Sequence, residues 1–305
     1  MGKDHYDCCL NCLDREFHPS NIGLKYQYPT DFVRSQWPRL KPNIYCIFRV
    51  VLALGFLVWL ITNIVEEIEW FYPEKPHLWF TYATNWSFFI LCLSFIFRAI
   101  LTLYYDVCNK EVLQQRDSLT VGLQCSWLFN TIAWNISIVV SICFWVFIIT
   151  MDTSWYFQTT GSEIKHSLGA ILVIIDLFIS GDPVRLLHFV YPISLGLFYI
   201  GFNALYFALR GEGPKGNHLL YKVLDWTRPG VVVVTIILTL ICSILVQVLL
   251  HELFRLRWLI FKSMYPDLAA NRELHGPNEE MTNILGSQDV SDANNYDSTD
   301  SRKEN

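Results

Sequence analysis

Long apolar runs separated by short polar stretches dominate the chain. A helix that crosses a bilayer needs about 20 predominantly apolar residues, range roughly 17 to 25. Five runs meet that length: 44–65, 85–105, 127–150, 188–209 and 230–253. A sixth, 166–180, is shorter and contains Asp176. The runs are continuous, unlike the alternating strands of a membrane β-barrel. The pattern predicts an all-α polytopic membrane protein, a bundle of about six transmembrane helices. Five helices plus a re-entrant segment is the alternative. No internal repeat is visible.

Composition agrees. Of 305 residues, 52% are hydrophobic and 17% charged, against about 25% charged in soluble domains. The 11 Trp and the 15% share of aromatics suit membrane interfaces, where Trp and Tyr collect. These values exclude a soluble, a collagenous and a wholly disordered chain. Membrane lipids are the expected partners, and no nucleic acid is. Three regions follow: an amino-terminal segment 1–43, a membrane domain 44–262 and a polar tail 263–305. The first forty residues carry no apolar signal-peptide core, so the first run is expected to serve as its own insertion signal. From about Asn271 the tail is rich in Asn, Asp, Ser and Glu and is expected not to fold. Residues 253–268 are basic and apolar, and are expected to continue the last helix along the inner interface.

Lys25, Arg34, Arg39 and Lys41 precede the first run, whereas the loop 66–80 carries Glu66, Glu67, Glu69 and Glu74. Lys110, Arg116, Arg255, Arg257 and Lys262 follow the second and last runs. Positive charge marks the cytosolic side, so both termini are expected in the cytosol of a plasma membrane or endomembrane protein. The loop with Arg210, Lys215, Lys222 and Arg228 runs against this assignment.

Polar groups inside the runs are informative because burying them in lipid is costly. Arg98 and Asp176 are read as the ionisable groups deep in the membrane. Asp176 lies about 15 Å below His166, and Arg98 about 21 Å below Thr84, at 1.5 Å per residue. Their helices enter from the same side, so the two charges fall within a turn of each other in depth. A buried pair is expected, with Arg98 first and Tyr199 and Asn203 next as partners of Asp176. The few deep charges, with no repeat and no broken helix pair, argue against a transporter.

At the opposite end Thr84 and His166 open the second and fourth helices. A hydroxyl beside an imidazole is a candidate nucleophile and base. Ordinary roles also account for both: Thr84 as an N-cap, His166 as an interfacial histidine. Glu163 or Asp152 would orient the imidazole, and Asn85, Trp86 or the backbone N–H groups of the helix start would stabilise an oxyanion. The sequons at Asn85 and Asn135 sit in membrane runs, out of reach of glycosylation. Cys8, Cys9 and Cys12 form a cluster read as acylation candidates, with a zinc site including His5 or His18 as the alternative. No metal or cofactor is called for elsewhere.

These residues carry a resemblance. Tyr82-Ala83-Thr84-Asn85-Trp86, His166 with Asp176 ten positions on, and Pro183-Val184-Arg185-Leu186-Leu187-His188-Phe189-Val190-Tyr191-Pro192 followed by Gly196, Tyr199 and Tyr206 resemble the rolling stone family of multipass membrane proteins. The resemblance spans roughly residues 37–260. It extends more weakly to the androgen-induced membrane hydrolases, which split fatty-acid esters of hydroxy fatty acids with a Thr nucleophile and a His. Carried over, Thr84 matches the nucleophile and His166 the histidine; Asp176 stands where those relatives have Glu. Asn85, Asp176, Arg98, His188 and Tyr191 are the supporting residues. The resemblance implies an intramembrane Thr/His hydrolase of lipid esters, or a non-enzymatic protein of cell–cell (myoblast) fusion or differentiation.

Overall fold

A computed structural model describes residues 16–71, 73–108, 118–148, 160–213 and 219–275. Six long helices form one bundle: α1 (Pro42–Phe71), α2 (Ala83–Thr102), α3 (Val121–Cys143), α4 (Thr160–Ile179), α5 (Val190–Ala208) and α6 (Pro229–Met264). A short helix, α7 (Pro266–His275), follows. Among the described residues, five helical stretches are long and apolar enough to cross a membrane. The remaining long helix, α4, carries Glu163, Lys165 and Asp176, and packs against α2, α3 and α6. The expected all-α bundle is what forms.

Local sequence explains the helix ends. Pro42 and Pro229 open α1 and α6, positions where the missing N–H costs nothing. The Thr120 hydroxyl caps α3 by accepting from the Leu123 N–H at 3.4 Å. On α1, Ile47, Val51, Leu54, Val58 and Ile61 all lie exposed. Their helical spacing makes one continuous apolar stripe, suited to lipid contact. The polar groups turn inward, as expected where lipid offers no hydrogen bonds.

Helix α3 is the axis, packing against α2, α4, α5 and α6. Asn135 pins it to α6: its amide donates to the Ser243 carbonyl and to Gln247 Oε1, each at 3.0 Å, and Ser243 Oγ donates to Asn135 Oδ1 at 2.8 Å. Such bonds and close packing, rather than hydrophobic burial, hold helices together in a membrane.

Several boundaries differ from the expected ones. Helix α1 runs on to Phe71, so Glu66, Glu67 and Glu69 are helical, not loop. Helix α4 starts at Thr160, which puts His166 nearly two turns inside instead of at the first turn. In both cases the charged extension is supported by a partner on the neighbouring helix, described below. Helix α6 is continuous for 36 residues, about 54 Å at 1.5 Å per residue. That exceeds a hydrocarbon core of about 30 Å. The last helix was expected to run on over 253–268 and the chain not to fold from about Asn271; instead α6 ends at Met264 and Pro266–His275 form α7.

The amino-terminal segment belongs to the same fold. Residues 16–41 lie against the end of α4, and Asp31 pairs with Arg272 of α7. Both ends of the described chain therefore meet at one end of the bundle, called here the terminal end. The last carbonyls of α4 are satisfied there one by one. Trp37 Nε1 donates to Phe178 O at 2.7 Å and Ser35 Oγ to Ile179 O at 2.6 Å. The Arg257 guanidinium, from α6, takes the carbonyls of Leu177 and Ser180, and that of Asp182 at 3.0 Å. A helix end buried without such donors would leave costly orphan acceptors. Gly181 makes the close approach possible: a Cβ there would stand 2.7 Å from the Asp31 carbonyl oxygen and 3.2 Å from that of Arg34. Replacing Gly181 by Ala is expected to destabilise the purified protein by about 1–3 kcal/mol, seen as a lower midpoint of thermal unfolding in detergent.

Candidate functional site

Two polar centres lie along the α2–α4 contact, one at each end. At the terminal end Arg98 of α2 pairs with both Asp176 of α4 and Asp182 just beyond it. Arg49 of α1 pairs with the other oxygen of Asp176 and bonds the Tyr45 hydroxyl. Arg98 also donates to Asn130 Oδ1 of α3 at 3.2 Å, and Ser94 Oγ donates to the same oxygen at 3.2 Å. All four charged side chains are nearly fully buried, and two positive charges balance two negative ones. The expected Arg98–Asp176 pair is present.

Arg49 corrects the count of deep charges. It stands five residues after Ile44, where the first apolar run starts, and α1 and α2 run in opposite directions, so it reaches the same carboxylate as Arg98. That spacing is legible in the sequence. Tyr199 and Asn203 are not partners of Asp176. Helix α5 carries them away from the terminal end, where Tyr199 Oη donates to Thr81 O at 3.0 Å and Asn203 Oδ1 accepts from Trp226 Nε1 at 2.8 Å.

At the far end the extended α1 and α4 meet. The Lys165 ammonium donates to Asn63 Oδ1 and Glu67 Oε1, each at 2.9 Å, and to Asn85 Oδ1. Its three donors are all engaged. The Asn85 amide donates to Trp79 O at 2.7 Å and to Glu67 Oε2 at 3.3 Å. Trp86 Nε1 donates to Phe80 O at 2.6 Å. Asn85 and Trp86 are thus tied to Trp79 and Phe80 in the turn before α2. Glu67, Asn63 and Lys165 were missed because Glu67 was read as part of an exposed acidic loop.

Thr84 and His166 do come together. They line one small cavity of about 20 Å³ with Ser87, Ser137, Ser141 and Lys165. A water molecule needs roughly 10–15 Å³ of such space. The two residues share this cavity rather than a direct hydrogen bond. No carboxylate orients the imidazole among the described residues: Glu163 makes no ion pair with it, and Asp152 lies outside them. Instead the ring stacks on Phe144, with centroids 4.1 Å apart and planes 21° from parallel. Ser141 Oγ meanwhile donates to the His166 carbonyl.

Thr84 also faces a second, larger cavity. This encloses about 200 Å³ between α2, α3, α5 and α6, with walls that include Val139, Ile193, Ile200 and Leu240. Ser87 and Val140 line both spaces. Tyr221, from the segment between α5 and α6, lines the same cavity as Thr84. Burial pushes that phenol up to about 12.

Other expected site residues lie elsewhere. His188 is buried at the terminal end, its ring 4.7 Å from that of Trp127 and 5.1 Å from that of Tyr191. Tyr191 donates to Ile22 O. Tyr191 thereby holds the amino-terminal segment, and neither residue lines a cavity with Thr84 or His166. Cys8, Cys9 and Cys12 are outside the described residues.

This arrangement is that of a polytopic helical membrane protein with a hydroxyl–imidazole pair beside an apolar cavity. The family described as "Protein rolling stone" matches residues 3–269, and the chain belongs to that family. It is 29% identical over 261 residues to "Protein rolling stone" of Drosophila melanogaster, covering 83% of this chain and 92% of the relative. No solved structure is similar to it.

The charge network gives a stability prediction. Asp176→Asn leaves two buried arginines facing one aspartate, and breaking a buried pair costs about 3–5 kcal/mol. Thermal unfolding of the variant in detergent is expected to show that loss, with a smaller one for Asp176→Glu.

Proposed function

We propose that this protein is an intramembrane hydrolase of lipid esters, with Thr84 as nucleophile and His166 as its base. The observation that carries the reading is the position of Thr84. It stands in the wall between an apolar cavity of about 200 Å³ and a water-sized cavity of about 20 Å³ that holds His166. An acyl chain suits the first space and a proton-relaying water the second. The resemblance to the androgen-induced hydrolases supports fatty-acid esters of hydroxy fatty acids as the substrate class.

In the proposed reaction Thr84 Oγ attacks the ester carbonyl carbon. Its proton passes to His166, directly or through the bridging water, and the carbonyl π pair moves onto oxygen. Collapse of that oxyanion breaks the bond to the alkoxide, which takes the proton back from His166. The acyl group is then on Thr84. A water, deprotonated by His166, attacks it and releases the fatty acid, restoring the Thr84 hydroxyl. Ester and water become acid and alcohol, and both side chains end as they began.

The terminal end carries Lys25, Arg34, Arg39 and Lys41 before α1, which supports both termini being cytosolic. An antibody to the carboxyl-terminal tail is therefore expected to label permeabilised cells and not sealed ones. Labelling of sealed cells would reverse the orientation.

The chemistry is tested on purified protein in lipid nanodiscs. Thr84→Ala and His166→Ala are each expected to lower hydrolysis by about 10³-fold or more while keeping the wild-type unfolding midpoint. A fluorophosphonate should label the wild type and not Thr84→Ala. Wild-type protein inert toward every lipid ester would replace this reading with a non-enzymatic role in cell–cell fusion or differentiation.

A further inference from the structure

The apolar cavity has a direction. Helices α3 and α5 begin at the terminal end, whereas α2 and α6 begin at the far end. The wall residues nearest the terminal end are therefore the earliest on α3 and α5, Asn135 and Pro192, and the latest on α6, Ser243. Thr84, at the start of α2, stands at the opposite end of the space. The floor formed by Asn135 and Ser243 offers no free donor. The Asn135 amide bonds Ser243 O and Gln247 Oε1, and the Ser243 hydroxyl bonds Asn135 Oδ1. Such a floor suits the methyl end of a chain whose polar end lies at Thr84.

On α5 the cavity wall runs from Pro192 to Ile200, about 12 Å at 1.5 Å per residue. Gly196 lines it midway. Glycine is a poor helix former, and in a membrane helix it commonly lets a neighbouring backbone come close. Close packing does not account for Gly196: a Cβ there would meet nothing within 4 Å. What the missing side chain leaves is room inside the cavity. We infer that Gly196 is a specificity-determining residue, setting the length of acyl chain that the cavity takes, with the ester at Thr84 and the methyl end toward Asn135 and Ser243. This rests on the hydrolase reading above. A large side chain at position 196 would fill the space about 6 Å along its wall. Long acyl chains would then be refused, while short ones would still bring their carbonyl to Thr84.

The test uses the full chain in nanodiscs and two esters of one hydroxy fatty acid, the octanoyl and the palmitoyl. Gly196→Leu is expected to lower kcat/KM on the palmitoyl ester by about 10–200-fold and to leave the octanoyl ester at its wild-type value. Gly201→Leu is the control. Gly201 lies on the same helix, also has nothing within 4 Å of a Cβ, and lines neither cavity, so both esters should keep their wild-type rates. Unchanged palmitoyl hydrolysis in Gly196→Leu overturns the inference. An equal fall on both esters also overturns it, because damage to the fold would act that way. A second measurement needs no variant. A palmityl ether with a diazirine at its methyl end cannot be hydrolysed, and on illumination it should label the wild type around Pro192 or Ser243. Labels confined to the exposed stripe of α1 overturn the inference even if Gly196→Leu fails to fold. A wild type that hydrolyses neither ester removes the hydrolase reading itself, and the ether label then decides by itself whether the chain lies past Gly196.

Discussion

The bundle is organised around the burial of two arginines and two aspartates in one place. Arg49, Arg98, Asp176 and Asp182 come from α1, α2, α4 and the segment after α4. An isolated charge at such a site is excluded by its desolvation cost, so none of the four can be buried without the others. The requirement selects which helices adjoin and at what depth. It extends outward through Asn130 on α3 and through the carbonyls that Arg257 of α6 collects at the end of α4. The amino-terminal segment completes the same end with Ser35 and Trp37, which is why residues before the first membrane helix fold with the bundle.

Helices α2 and α4, each of 20 residues, pack against each other, and their far ends share the small cavity. Thr84 and His166 are thus brought together by an ion pair about three to four turns away. The far end separates two kinds of polar residue. Asn85, Trp86 and Lys165 have partners for their donors and hold the turn before α2 and the extensions of α1 and α4. Thr84 and His166 face cavities. In the proposed hydrolase, the residues whose bonding is fully used build the site, and Thr84 and His166 carry its chemistry.

The two cavities give that chemistry a setting. An apolar cavity of about 200 Å³ lies beside a small one of about 20 Å³ that has room for one water molecule. Thr84 borders both, and the proposed hydrolysis needs an acyl chain and a water at that residue. Tyr221, from a segment far away in the chain, lines the larger cavity with Thr84. The loop between α5 and α6 therefore does more than join two helices.

The sequence by itself determined the helical class, the approximate spans and the Arg98–Asp176 pair, because apolar run length and 1.5 Å per residue set depth directly. It also pointed to Thr84 and His166 at a common end, since topology places them there. Helix ends were less legible: α1 and α4 continue past their apolar runs only because Glu67 and Lys165 pair across them, a long-range contact that no local pattern announces. Arg49 was readable by the same depth arithmetic as Arg98. The roles of Asn85 and Trp86, the stacking of Phe144 on His166, and the arrival of Tyr221 were decided by tertiary structure alone. Depth is one-dimensional and follows from counting residues. Which side chains meet laterally, and which donors are already engaged, depends on how six helices pack around α3.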